Sequence, residues 1–186
     1  MRRLLSPWVC LSMLTAALPA LAAEPAATGF RADFVQLLAG AEKELVSLEQ
    51  AMPQDKFGWR PAKGVRSVAE VYLHAAGSTY FFLDKMGRPI PADVKALFES
   101  NKWESQTTKK DDIKTILANS IAYLRKSVLE MSDADLDKTM DFFGQTFTQR
   151  GMLMITLGHL REHLGQSIAY ARINGVVPPW SKKDKS

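Results

Sequence analysis

Four stretches of this chain carry apolar residues at helical spacing, and proline, glycine and capping residues mark the breaks between them. Phe30, Phe34, Leu37, Leu38, Ala41, Leu45 and Leu48 form the first stripe, interleaved with Arg31, Asp33, Glu42, Lys43 and Glu49. Apolar side chains recurring every three to four residues line one face of an α-helix. This spacing predicts helix from about Phe30 to Ala51, stopped by Met52-Pro53. After a loop holding Phe57 and Trp59, expected to anchor it, Ser67-Val68-Ala69-Glu70 has the form of a capping box. It opens a second helix to about Met86, ended by Gly87-Arg88-Pro89-Ile90-Pro91. Thr107 to Asp111 open a third, whose stripe is Ile113, Ile116, Leu117, Ser120, Ile121, Leu124, Val128 and Leu129. Thr148 caps a fourth over Gln149 to Ile173, with Met152 and Met154 as core filler. Asn174-Gly175 then supplies a left-handed C-cap, and Pro178-Pro179 prevents resumption.

A short helix is expected over Ala92 to Ser100. Residues 133–147, through Phe142-Phe143-Gly144, read as an irregular connection with one or two extended residues. Four long helices with no convincing strand and no internal repeat predict an all-α fold, a four-helix bundle. Its connections exceed the roughly 2–8 residues usual between antiparallel neighbours. Long crossovers along the bundle are therefore expected, in place of an up-down-up-down series.

The N-terminus reads as a secretory signal peptide. Arg2 and Arg3 precede a mostly apolar run, Leu4 to Leu18, and Pro19 precedes the small-residue segment Ala20-Leu21-Ala22-Ala23. The expected layout is a signal peptide over residues 1–22, a bundle domain over 28–180 and a basic tail over 181–186. Localisation is then periplasmic or secreted, with no membrane association after cleavage. The one cysteine, Cys10, leaves with the signal, which excludes disulfides, thiolate ligands and a cysteine nucleophile. The remaining 22 basic and 20 acidic residues show no nucleic-acid footprint and no cluster dedicated to phosphate.

The chain has three histidines, and two of them, His159 and His163, fall four residues apart on the fourth helix. That spacing places both on one helical face. The third, His74, lies on the second helix. A bundle core brings such faces together, and side chains on facing helices are how bundles build metal sites. Three neutral imidazoles with no fourth protein ligand leave a coordination position open for water or substrate, as catalytic metals require. Zinc, nickel and ferrous iron all accept such donors, and the sequence does not choose between them. The bland alternative is two surface histidines and one in the core.

His159-Leu160-Arg161-Glu162-His163 also matches the H-x-x-E-H pattern of inverted zinc peptidases, which need a further carboxylate ligand downstream. The only acidic residue after His163 is Asp184, in the tail, so that reading fails. Glu162 lies about 60° round the helix from His159 and about 100° from His163. It is a candidate for supporting the ligands or simply a solvated residue. Glu70, on the face of His74, and Gln166, one helical step beyond His163, are candidates for the same supporting role. Ser167 and Tyr170 follow by further helical steps and suit either hydrogen bonding or packing.

Taken together, Trp59-Arg60-Pro61, Ser67 to Glu70, His74, Gly144, His159-x-x-x-His163-x-x-Gln166, Tyr170, Arg172, Gly175 and Pro178-Pro179 follow an order and spacing that resemble the DinB/YfiT-like superfamily over Phe30 to Trp180. The resemblance implies a four-helix bundle with a divalent metal held by one histidine of the second helix and two of the fourth. Those positions fall on His74, His159 and His163. It also implies an enzyme acting on a small molecule, either hydrolase-like or resembling the thiol transferases of the better-understood branches, which use bacillithiol or mycothiol. Export weakens the thiol reading, because such cofactors belong to a reducing cytoplasm. The alternative function is a non-catalytic metal-binding or interaction bundle, and a homodimer is compatible with either.

Overall fold

Hydrogen bonds at the helix ends set the boundaries of the long elements. The computed structural model describes residues 27–181. The expected signal peptide, with Cys10, and all of the tail beyond Ser181 lie outside the described residues. Helix α1 spans Gly29–Ala51, α2 Val68–Lys85, α3 Ala92–Glu99, α4 Lys110–Leu129, α5 Asp133–Asp137 and α6 Gln149–Ile173. At the start of α2 the Glu70 amide donates to Ser67 Oγ at 3.3 Å, and the Ser67 amide donates to Glu70 Oε2 at 2.7 Å. The Val68 and Ala69 amides are taken by the carbonyls of Trp59 and Phe57. The first turn of α2 therefore leaves no orphan donor at these positions, and the preceding loop is pinned to it. Thr148 caps α6 through the Gly151 amide. That helix ends as expected, with Val176 N–H bonded to Ala171 O, Gly175 N–H to Arg172 O, and Gly175 at φ +74°.

The four long helices pack as a ring, α1 against α4, α4 against α2, α2 against α6 and α6 against α1. The successive pairs α1/α2 and α4/α6 thus sit principally across the bundle from each other, which accounts for the length of those two connections, while the connection from α2 to α4 joins neighbours. Leu38, Leu45, Leu48, Leu73, Leu83, Ile113, Leu117, Ile121 and Leu124 are wholly buried between them. Cutting any one such leucine to alanine costs roughly 2–5 kcal/mol. Among the described residues no helix is long and apolar enough to cross a membrane.

Three expectations need correction. The connection after α4 is more ordered than its sequence suggests. It forms α5 and an antiparallel hairpin, β1 (Thr139–Phe142) with β2 (Gln145–Thr148), paired Thr139↔Thr148 through Phe142↔Gln145. The two-residue turn has φ +52° at Phe143 and +76° at Gly144, the conformation that asparagine-glycine usually marks. A phenylalanine in the first position hid it. Met154 is exposed on α6, whereas Met152 is buried. Glu49, expected on the polar face of α1, is fully buried, and its Oε2 accepts from Gln50 Nε2 at 2.5 Å.

The segment after α3 crosses the outer face of α2. Trp103 Nε1 donates to the Leu73 carbonyl at 2.6 Å, and the indole lies directly over Gly77. A methyl group on residue 77 would stand 2.4 Å from Trp103 Nε1. Gly77→Ala is therefore expected to displace the indole and destabilise the protein by about 1–3 kcal/mol. Equilibrium denaturation checks this, and an unchanged midpoint would count against the seating of Trp103 described above.

Candidate metal centre

His74 projects from α2, and His159 and His163 project from the facing side of α6. His163 lies within the buried stripe of α6 that includes Leu160 and Leu164, whereas His159 sits at its edge. The three rings meet at steep mutual angles, with centroids 4.4 to 5.2 Å apart. His159 Nε2 lies 3.2 Å from His74 Nε2 and 3.1 Å from His163 Nε2. Nitrogens bound to one cation at about 2.0–2.1 Å stand roughly 3 Å or slightly more from each other. The spacing suits a shared ion.

The outer nitrogens fix which ring atoms face inward. His74 Nδ1 lies 2.6 Å from Glu104 Oε1. A carboxylate only accepts, so Nδ1 carries the proton and Nε2 presents its lone pair. For His163 the same result follows from a longer chain of bonds. Tyr170 OH donates to the Arg66 carbonyl at 3.1 Å, so its oxygen accepts from Gln166 Nε2 at 3.0 Å. The other end of that amide is then Oε1, which accepts from His163 Nδ1 at 2.9 Å. Two lone pairs are thereby aimed at His159 Nε2, and only a proton or a cation between them makes that arrangement stable. Neutral imidazoles with their second nitrogens bonded to a carboxylate and an amide are a donor set that fits a divalent metal.

Arg66 joins both supports. Its guanidinium donates from Nε and Nη2 to the two Glu104 oxygens at 2.7 and 3.1 Å, while its carbonyl anchors Tyr170. Burial pushes the Glu104 carboxyl up, but the bonds from Arg66 and His74 outweigh it and hold the group below the usual carboxylate range. Burial lowers His74 against the opposing Glu104 bond. Burial also lowers His159, and with His163 and His74 alongside, its imidazole falls to about 4.

The supporting residues differ from those expected. Gln166 does meet His163. Glu70 does not reach a histidine, because its carboxylate is bonded to Arg60 at 2.9 Å and to the Ser67 amide. Glu162 points largely to solvent, with one oxygen 3.8 Å from His159 Nδ1, beyond hydrogen-bond range. Glu104, Arg66 and Ser78 carry the contacts instead. Ser78 Oγ lies 2.9 Å from His159 Nε2, and its position one helical turn after His74 is a legible signal. Nothing local marks Glu104, which reaches the site from an irregular segment. A cavity of about 800 Å³ opens over His74, Ser78 and His159.

Comparison with known proteins agrees with the helical-bundle fold. The model of the DinB superfamily matches residues 37–167. A DinB-like protein from Bacillus cereus superposes with a TM-score of 0.67 at 19% identity, covering 78% of this chain and 93% of its own. A DinB-like protein from Bacillus subtilis gives 0.62 at 18%, covering 82% and 99%. A conserved protein from Enterococcus faecalis gives 0.66 at 14%, covering 79% and 98%. None of the curated proteins matches the chain.

Two outcomes follow from the bonding around the histidines. Glu104→Gln and Arg66→Met should each weaken zinc binding by about 10- to 100-fold, measured by competition with a chromophoric chelator; unchanged affinity would remove their supporting role. In the metal-free protein, His159 near 4 lies below its unfolded value of about 6.5. The unfolded chain takes up that proton first, so the His159 contribution to stability is complete above about pH 6.5 and is lost as pH falls toward 4. Urea denaturation across that range should show a decline that His159→Asn reduces.

Proposed function

The chain belongs to the DinB superfamily, and from that premise we propose that it is a divalent-metal-dependent enzyme that acts on a small molecule entering from the cavity. His74, His159 and His163 are the ligands, and zinc, nickel and ferrous iron all suit three imidazole donors. The observation that carries this reading is the approach of His74 Nε2 and His163 Nε2 to His159 Nε2, at 3.2 and 3.1 Å, with one ligand atom from each ring within 4.8 Å of the others and each of the two flanking rings fixed through its other nitrogen.

A divalent cation held there supplies Lewis acidity toward a polar substrate group or water. The residues around it bind and orient. Glu104 and Gln166 keep His74 and His163 in the required tautomer. Ser78 Oγ stands at the cavity side of the centre, where it can hydrogen-bond a polar group of the substrate. Phe82 meets the His159 ring edge to face at 5.5 Å, holding its orientation and excluding water on that side.

The lining also favours one reaction class. Its two carboxylates, Glu70 and Glu104, are both committed to arginines. Amide cleavage needs a group to protonate the departing amine, whereas a weakly basic leaving group, an aryloxide or a thiolate, departs without one. An activated acyl substrate such as an ester or thioester is therefore the preferred candidate. The N-terminal layout of residues 2–23 supports action outside the cytoplasm, with water as the acceptor.

Metal analysis of untagged protein should find about one equivalent per chain, and His163→Ala should weaken affinity at least about 10-fold. Less than a tenth of an equivalent, with none gained from added zinc or nickel, would end the metal reading. In a screen of ester, thioester and amide substrates, turnover should favour the first two and disappear on chelation or ligand replacement. Turnover that survives both would refute metal dependence.

A further inference from the structure

The cavity over the histidines has a lining that goes further than the metal centre in describing what it accepts. Phe81, Phe82, Phe98, Phe142, Phe143 and Ile155 supply much of its wall. Its volume of about 800 Å³ falls within the roughly 300–1,000 Å³ of pockets for drug-sized ligands. The four formally charged residues of the lining cancel in pairs, Arg60 with Glu70 at 2.9 Å and Arg66 with Glu104 at 2.7 Å. No side-chain charge of the lining is left over to neutralise a charged ligand.

The wall is continuous from mouth to floor. Phe143 and Phe142 meet with ring centroids 4.5 Å apart, Phe142 and Phe82 at 5.8 Å, and Phe82 and His159 at 5.5 Å. Phe143 begins this run at the hairpin tip and is 83% exposed. Its backbone lies at φ +52°, where a bulky residue is costly and asparagine or glycine is not. It contributes nothing to the buried core. The residue thus exposes most of its apolar surface from a strained position, and the Phe142 ring is its one aromatic contact among the described residues.

We propose that this cavity binds a neutral small molecule with an aromatic body, and that Phe143 is a specificity-determining residue that stacks on that body. The substrate's polar group then points to the histidines; this last element rests on the metal-centre reading above, whereas the aromatic recognition does not.

Two matched probes test the proposal, N-phenyl-1-naphthylamine, which is neutral, and 8-anilinonaphthalene-1-sulfonate, which adds one anionic group. Fluorescence titration of the full chain, metal-free and zinc-loaded, should show the neutral probe binding once per chain in both forms. In the metal-free form the anionic probe should bind at least about 10-fold more weakly, because its charge finds no free partner among the lining side chains. Phe143→Asn should weaken the neutral probe about fivefold through the lost ring contact, while the melting temperature stays level or rises. Ile155→Asn, on α6, should weaken it as well. Absence of neutral-probe binding, equal binding of both probes to the metal-free form, or full affinity in Phe143→Asn overturns the proposal even if zinc binds. Retention of the expected pattern in a protein that takes up no zinc would overturn the metal reading and leave this one standing.

Discussion

Arg66 ties the site to the fold from two directions. Its side chain grips Glu104, which holds His74, and its carbonyl receives Tyr170, which holds His163 through Gln166. The two histidines come from different helices, so their relative placement depends on interhelical packing as well as on these bonds. A residue in the loop before α2 thereby coordinates supports that arrive from a distant irregular segment and from α6. The T-shaped contact of Trp59 with Tyr170, 5.3 Å between centroids, adds an apolar cover to the same chain of bonds.

The irregular parts of the molecule complete a site whose candidate ligands come from the bundle helices α2 and α6. Trp103 seats on Gly77 and carries Glu104 to His74. The hairpin between α5 and α6 carries Phe142 and Phe143 to the cavity mouth. The hairpin lies in a connection that spans the ring from α4 to α6, whereas the Trp103 segment belongs to the connection between the neighbouring helices α2 and α4. A minimal bundle with tight turns would bury its leucines equally well. It would have no chain left over to build a wall or a supporting carboxylate.

The buried histidine cluster also carries a cost that bears on its purpose. Burial disfavours protonation of His159 and His74, and the close rings disfavour it further. Neutral imidazoles packed with their lone pairs converging do little for an apolar core, where leucine would bury more surface at no polar cost. Such a cluster has a physical rationale as a cation site, since ligation requires these same neutral, oriented nitrogens.

Much of the bundle was legible from local chemistry. The 3.6-residue stripes located the long helices, the Ser67–Glu70 box and Thr148 located two starts, and Gly175 located an end, because each signal acts within one or two turns of chain. The four-residue spacing of His159 and His163 likewise fixed their common face. Local signals failed where a residue's neighbours are distant in sequence. Met154 and Glu49 exchanged their expected environments because periodicity gives a face but not its boundary. The hairpin was hidden by Phe143 at a position usually taken by asparagine. Glu104 was invisible because it meets His74 through a segment held on α2 by Trp103, a contact between residues distant in sequence. The sequence by itself determined which helices form and which residues are available as ligands. Only the tertiary structure decided which carboxylate, amide and hydroxyl support them, because those partners meet through packing between elements that no short-range pattern records.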